Sequence, residues 1–380
     1  MESSYRHLFP RAGQVTYLDT AAEGLPAPGA EQALDDYHRD KATGTPGRRR
    51  FFAVERSCRE SLARLLGSTP DDVTLVSNAT EALAILANSL PLQAGDEIVI
   101  NDLEFPSNVL AWLRLREAGV RVRVVESAHG AIPLDAFAAA INARTRLVTI
   151  SQVSYKTGAQ YPYLPQLAEL AHRAGAVFCV DATQALGRVP VSLQGVDYLV
   201  ASTYKWLLGV HGLGVLYCAP ELRARLTPSS LGWYSVDGVF GPNRFEAYTL
   251  KPDASRFSGG MPNFPSIYVL KQSVDFLLTA DVAACDARLK PAVAKLRQGI
   301  ANLGLSLLTP EDPAFASGIV AFSHSKPEEL GGALEQEGVV TWYGDGRVRA
   351  SAHLYNDESD IDRYLATLAS LVAKPELSHV

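Results

Sequence analysis

The chain comprises 380 residues, 47% of them hydrophobic and 20% charged, with a formal net charge of −6. This suits a globular protein of two domains, or one large domain with a smaller one attached, around a sizeable core. The charge is spread along the chain, so no nucleic-acid partner is expected; with no apolar run of about 18 residues and no signal-peptide pattern, no membrane partner is expected either, and the expected location is cytoplasmic.

In chain order, the basic cluster Arg48-Arg49-Arg50 comes first and has two readings, a solvated loop or a site for an anion or interface. From Asp71 to Tyr217, short apolar runs alternate with helical stretches. DDVTLVS, DEIVIND, VRVRVVE, TRLVTISQV, AVFCVD and YLVAS predict buried strands rich in Val, Ile and Leu. Between them, TEALAILANSL, SNVLAWLRLREAG, LDAFAAAINA and LPQLAELAHRAG place apolar residues at helical spacing, and two of these stretches stop at glycine. Such alternation implies right-handed crossovers, and so an α/β fold with a mainly parallel sheet covered on both faces. GLGVLY after His211 reads as one more strand, with an antiparallel placement open.

Beyond Arg256 the pattern changes to a smaller α+β unit. A long helix over FPSIYVLKQSVDFLLTA is followed by a helix over DARLKPAVAKLRQGIANLG, a strand at SGIVAFSH and a helix through PEELGGALEQEG. VVTWYG, RVRASAH and a last helix over DESDIDRYLATLASLVA complete the chain, with no internal repeat. The four cysteines, Cys58, Cys179, Cys218 and Cys285, form no CxxC pair; Cys179 and Cys218 sit in apolar runs and are expected buried and reduced.

Ligands of open α/β sheets sit beyond the carboxyl ends of the strands. Five predicted strand ends are polar: Ser77-Asn78-Ala79-Thr80, Asp102-Leu103-Glu104-Phe105, Ser151-Gln152, Asp181-Ala182-Thr183-Gln184 and Ser202-Thr203-Tyr204-Lys205. At SNATEA a strand runs into a helix whose first N–H groups, on Ala79 and Thr80, lack intrahelical partners and favour an anion. The competing reading is a plain N-cap by Asn78 or Thr80. Asp181 closes an apolar strand, where a carboxylate needs a partner. It either caps the turn DATQ or pairs with a cationic ring nitrogen, each then favouring the other's charged form. Gln184 has an amide that suits a phenolate oxygen. Lys205 stands between DYLVAS and WLLG, an odd place for a solvated lysine. Such an amine can lose its proton and form an imine with an aldehyde, with Ser202 and Tyr204 supplying hydroxyls to a phosphate. Lys156, in SYKTG, competes but lacks the flanking hydroxyl pair. No metal site is expected.

Asp181-x-x-Gln184 followed by Ser202-Thr-Tyr204-Lys205 resembles the fold-type I pyridoxal 5′-phosphate (PLP) enzymes of the aminotransferase class V family. That family includes cysteine desulfurases, selenocysteine lyases, isopenicillin N epimerase-like proteins and kynureninases. The likeness begins at Tyr17-Leu-Asp19-Thr-Ala-Ala, includes Arg256-Phe257 and ends in Arg349-Ala-Ser-Ala-His-Leu-Tyr-Asn356. It implies a large domain over residues 15–280 with a mainly parallel seven-stranded sheet, and a small C-terminal α+β domain over 281–380 joined by segment 1–14. It also implies a Lys205 Schiff base, Asp181 on the pyridine nitrogen to keep the ring an electron sink, and Gln184 on the ring hydroxyl. Phe105 would stack on the ring, while Ala79, Thr80, Ser202 and Tyr204 would hold the phosphate. Arg349 would bind the carboxylate of a small amino acid with its planar fork. Tyr155, Trp233, Trp342 and His353 are candidates for the pocket wall. Members of the family are homodimers with a shared site, so Trp233 and the loop Gly259–Met261 are expected to come from the partner chain.

The sequence departs from the family pattern in places that bear on the reaction. Desulfurases carry a nucleophilic cysteine shortly before the position of Arg349, where this chain has VVTWYGDGRV. A persulfide-forming desulfurase is therefore not expected. Met261 replaces a threonine that reaches the partner's phosphate, leaving a backbone N–H of Gly260 or Met261 as substitute, and Phe105 replaces a stacked histidine. Phe105, SYKTG, STYKWL and Gly232-Trp233 look like kynureninases, whereas Gln184 and the C-terminal motif lean toward the epimerase and lyase branch. The expected chemistry is aminotransferase or β-lyase (C–S lyase-like), with a kynureninase-like C–C hydrolase or an epimerase as alternatives. A PLP-binding scaffold without turnover is the reading from another class. A nucleotide-binding protein is disfavoured, because SNATEA has no glycine.

Overall fold

The computed structural model describes residues 5–377; residues 1–4 and 378–380 of the expected small domain lie outside the described residues. After the short strand β1 (Thr16–Tyr17), seven strands follow in chain order: β2 (Val73–Val76), β3 (Glu97–Asn101), β4 (Arg121–Val125), β5 (Thr145–Ser151), β6 (Val177–Asp181), β7 (Tyr198–Ser202) and β8 (Gly214–Cys218). They form one sheet in the order β2-β8-β7-β6-β5-β3-β4. Every pairing is parallel except the two made by β8, the strand foreseen at GLGVLY.

The central strands are buried along their whole length because both faces are covered. Side chains alternate between two cores. Ile98, Ile100, Leu147, Cys179 and Val200 pack with Leu83 and Leu86 of the helix Ala79–Ser89. Val99, Val148, Phe178, Val180 and Leu199 pack on the other face with Leu167 and Ala171 of Leu164–Arg173, and with Ile267 and Leu270 of Phe264–Ala280.

Two helices over Ala30–Ala42 and Arg48–Leu66 were not among the expected elements. Both pack on Phe264–Ala280: the ring centroids of Phe51 and Phe264 are 5.1 Å apart, and the Tyr268 hydroxyl donates to Asp40 at 2.7 Å. The loop reading of Arg48-Arg49-Arg50 is corrected, since these residues open a helix. Arginine is a good helix former, and these three face solvent while Phe51, Cys58, Leu62 and Leu66 face the core.

After a two-stranded hairpin, β9 (Val236–Asp237) with β10 (Thr249–Leu250), the chain builds a second sheet. β14 (Arg347–Ser351) lies between β11 (Ile319–Ser323) and β13 (Trp342–Gly344), antiparallel to both. VVTWYG divides at Thr341, so β12 (Val339–Val340) instead pairs in parallel with β1. A separate apolar cluster around Val320, Phe322, Val348 and Ala350 takes in Leu18, Leu296 of the helix Val282–Asn302, and Ile361 and Leu368 of the helix Glu358–Val372. Among the described residues no helix is long and apolar enough to cross a membrane.

A buried ion pair ties the two sheets together. Arg188, in the loop after β6, donates to Asp286 of Val282–Asn302 at 2.7 Å and to the carbonyl of Ala352, just past β14, at 2.9 Å. Both side chains are more than nine-tenths buried. Asp286→Ala strands the guanidinium without its counter-charge, and is expected to cost about 3–5 kcal/mol in urea denaturation. A loss below about 1 kcal/mol would show that the pair is dispensable.

Candidate active site

The carboxyl ends of β2, β3, β5, β6 and β7 lie on one edge of the sheet, with the first residue of β8 among them. A pocket opens there, lined by Asn78, Ala79, Thr80, Phe105, Ser107, Ser151, Val153, Tyr155, Asp181, Thr183, Gln184, Ser202, Tyr204 and Lys205. Of the sequence-predicted residues it gathers Ala79, Thr80, Phe105, Tyr155, Asp181, Gln184, Ser202, Tyr204 and Lys205.

Lys205 follows β7 in a turn that many bonds hold shut. Thr203 accepts from Gly209 N–H at 2.9 Å, and its hydroxyl lies 2.9 Å from the carbonyl of Val210 and 3.0 Å from that of Leu213. Leu208 is held at φ 56°, a strained setting for a branched residue. Gly24 N–H donates to the Tyr204 carbonyl at 2.9 Å, and a Cβ on Gly24 would stand 2.0 Å from the Lys205 carbonyl oxygen, so only glycine fits. The amine is thereby fixed 5.6 Å from the ring centroids of both Phe105 and Tyr204. Burial, reinforced by the Arg349 charge, pushes its pKa down to about 8, against the opposing pull of Asp181, Asp19 and Glu23.

Asp181 is buried at the end of β6, and burial pushes its carboxyl up while Thr183 and the Lys205 charge pull it back. Its Oδ1 accepts from Thr183 N–H at 2.8 Å, so it caps its turn as well as facing the pocket. Gln184 is more committed than expected: Nε2 donates to the Ala21 carbonyl at 3.0 Å, and Oε1 accepts from Trp206 Nε1 at 2.6 Å. One amide hydrogen remains for a ligand.

At the other end of the pocket, Asn78 is the N-cap, its Oδ1 accepting from Glu81 N–H at 2.8 Å. Glu81, in the first turn, folds back so that its carboxylate accepts from Ser77 N–H at 2.6 Å. The amides of Ala79 and Thr80 have no acceptor within the helix. The hydroxyls of Thr80 and Ser107 meet at 2.7 Å beside them. A Cβ on Gly214 would lie 2.4 Å from the Asn78 carbonyl carbon, so glycine lets β8 pass directly beneath this helix end.

Arg349, on β14, is almost wholly buried; its Nη1 donates to the Tyr155 carbonyl at 2.9 Å and its buried Nε has no partner. Its guanidinium lies 5.1 Å from the Trp342 ring. Burial pushes its pKa down to about 10, opposed by the charge of Asp19. Asp19 in turn is pushed up to about 7 by burial, against Arg349 and Lys205.

Other expected residues lie elsewhere. Gly260 and Met261 line a second hollow with Leu75, Val76, Ser77 and Glu81. Trp233 is 41% exposed and lies outside the Lys205 pocket. His353 is corrected from pocket wall to core: it is wholly buried, its Nε2 lies 3.0 Å from the Trp206 carbonyl, and burial pushes its pKa down to about 3. Lys156 also lies outside the pocket, as do Asp102 and Gln152, whose side chains bond Ser127 and the Pro190 carbonyl. All four cysteines are free and buried, and none lines the pocket. Ser107, Thr183 and Asp19 carry no role in the reading of the sequence, although Thr183 stands in a polar strand end and Asp19 in the opening motif; the turn residues Pro106-Ser107-Asn108 and the DATQ turn are the available signals for the first two. Among the described residues no three His, Cys, Asp or Glu side chains are grouped for a metal ion.

This donor set fits PLP. A buried amine of lowered proton affinity stands in the same pocket as a buried carboxylate, and a helix start with adjacent hydroxyls suits a dianionic phosphate. The fold and the pocket define a fold-type I PLP-dependent enzyme. Residues 16–364 match the aminotransferase class-V family, and the chain belongs to it. It is 28% identical to an uncharacterised aminotransferase of Bacillus subtilis, over 97% of this chain and 98% of that one. It is 31% identical to isopenicillin N epimerase of Streptomyces clavuligerus, over 83% and 84% of the two chains. The apo structure of a cysteine desulfurase from Thermococcus onnurineus superposes with a TM-score of 0.90 at 22% identity, over 98% of this chain and 99% of that one.

With its pKa lowered to about 8, a tenth or so of Lys205 is unprotonated at pH 7. Capture of added PLP by cofactor-free protein is expected to speed up about tenfold from pH 7 to pH 9 and then level off, as followed by stopped-flow absorbance. A rate still climbing steeply above pH 9 would place the amine near its ordinary value.

Proposed function

We propose that the chain acts at the α-carbon of a small amino acid, with an aminotransferase or β-lyase (C–S lyase-like) outcome. One observation carries this reading: a single buried amine, Lys205, lies within electrostatic reach of both Asp181 and Arg349, and no cysteine lines the pocket.

Bound PLP supplies an electron sink for the charge left when a bond to the substrate α-carbon breaks. The placement of the protein groups supports the following roles. Lys205 would hold the cofactor at its aldehyde end, and its free amine would be the base that takes and returns the α-proton. Asp181 would accept a hydrogen bond from the ring nitrogen and favour its protonated form. Gln184 would give its remaining amide hydrogen to the ring hydroxyl, and Phe105 would cover the ring face. The amides of Ala79 and Thr80, with the hydroxyls of Thr80, Ser202, Tyr204 and Ser107, would bind the phosphate. Arg349 and Tyr155 seat the substrate, the carboxylate meeting a guanidinium that still has a buried N–H unused.

The domain division at residues 15–280 and 281–380, with 1–14 joining the second, belongs to the same proposal. So does a homodimer in which Trp233 and the backbone of Gly260 and Met261 reach the partner's site. Supporting it, Phe240 and Phe245 are each 85% exposed and Tyr248 is 60% exposed on the segment around the β9–β10 hairpin, an apolar display that a second copy would cover. A cytoplasmic location accords with four unpaired cysteines.

An amino-acid panel scored for pyruvate, alanine, sulfide and α-deuterium exchange identifies the outcome; pyruvate with sulfide marks the β-lyase and a ketoacid with amino-group transfer marks the aminotransferase. Exchange with inversion alone would favour the epimerase alternative. Lys205→Ala is expected to abolish the visible cofactor band and cut turnover by about 10³-fold or more. Retention of both would refute the assignment of the lysine. Arg349→Lys, which keeps the charge but loses the fork, is expected to raise KM about 10–100-fold.

A further inference from the structure

Glu104 is wholly buried, and none of the roles above uses it. Its Oε1 accepts from Ser151 N–H at 2.7 Å and Asn101 Nδ2 at 2.6 Å. Its Oε2 meets the Ser151 hydroxyl at 2.6 Å and Asn108 Nδ2 at 2.8 Å. The direction of three of these bonds is fixed. Asn108 Oδ1 accepts from Trp112 Nε1 at 3.1 Å, and an indole nitrogen only donates, so the Asn108 amide must turn its nitrogen to Glu104. Asn101 Oδ1 accepts from Leu103 N–H at 3.0 Å, which fixes the Asn101 amide in the same way. The Ser151 backbone can only donate. As a carboxylate Glu104 accepts from all four partners; a proton on it has one place to point, the Ser151 hydroxyl, which would then accept.

Ser151 is also a wall of the Lys205 pocket, and it is the register partner of Asp181 across β5 and β6. The charged and titratable groups facing Glu104 are Asp181 and Cys179, both from β6; β3, β5 and the helix Ser107–Leu113 present only neutral groups to it. Resting on the reading of this pocket as a PLP site, we propose that Glu104 is a positioning residue: through Ser151 it keeps a second, uncompensated negative charge behind Asp181, which makes that corner of the pocket hold a proton more tightly. Burial and the Asp181 charge push Glu104 up to about 7, against the bonds from Ser151 and Asn108, so it supplies that charge above about this pH. The same carboxylate anchors the residue before Phe105, so the charge and the ring-facing aromatic are set by one clamp.

The test compares the pH midpoint of the bound cofactor's visible band in wild-type holoenzyme, E104Q and E104D, with circular dichroism to confirm folding. E104Q removes the charge, and its midpoint is expected to fall by about half to one pH unit. E104D keeps the charge, and its midpoint is expected to stay with the wild type even where cofactor affinity drops. A folded E104Q with an unmoved midpoint overturns the proposal. If E104Q does not fold, E104D decides: a midpoint matching wild type supports the role, and one displaced by about a unit overturns it. Wild-type protein that develops no visible band with PLP would instead refute the cofactor reading on which this rests.

Discussion

Burial raises the free energy of a charged amine and of a charged carboxylate alike, yet Lys205 and Asp181 are both buried at the lip of one sheet. Neither is neutralised by a close ion pair, since Asp181 leans on Thr183 and Lys205 is held near two aromatic rings. Much of the surrounding structure serves to keep them there. The turn after β7 closes through Thr203 and the strained Leu208, Gly24 presses on the backbone of Lys205, and the wholly buried β6 and β7 give both residues a rigid footing. A group that bridges amine and carboxylate relieves the cost that each bears alone, as expected of a site whose titrations are displaced for function.

Arg349 and Asp19, within electrostatic reach of Lys205, follow the same logic with the signs mixed. Arg349 repels the Lys205 charge, and Asp19 draws on both. Asp19 keeps a buried oxygen without a hydrogen bond, and Arg349 keeps a buried Nε without one. An incoming carboxylate can satisfy Arg349 with its fork geometry, which the chain itself leaves unfilled. Glu104 extends the pattern behind the strand ends, where only neutral donors surround it.

Most of the main sheet was legible because its strands are buried on both faces and therefore read as unbroken apolar runs; YLVAS and β7 coincide residue for residue. The helix over FPSIYVLKQSVDFLLTA coincides as well. The two N-terminal helices escaped notice because Gly44, Pro46 and Gly47 interrupt them, and because arginines dominate the face that Arg48–Leu66 turns to solvent. VVTWYG was legible as extended chain, but nothing local shows that its halves join different sheets. His353 stands in a recognisable motif, but its environment is made by Trp206, 147 positions away in the chain.

The amino-acid sequence by itself determined the alternation of strand and helix, the polar character of the strand ends, and the spacing that joins Asp181 and Gln184 to Lys205, because hydrophobic period and residue type are local properties. Only the tertiary structure decided which of those ends meet. Asp181 and Lys205 share a pocket while Gln152 and Asp102 turn away; Arg349 arrives from the second sheet, and Ser107 comes to stand against Thr80. Burial and proton affinity depend on what packs around a side chain from distant parts of the chain, and no spacing along the sequence encodes that.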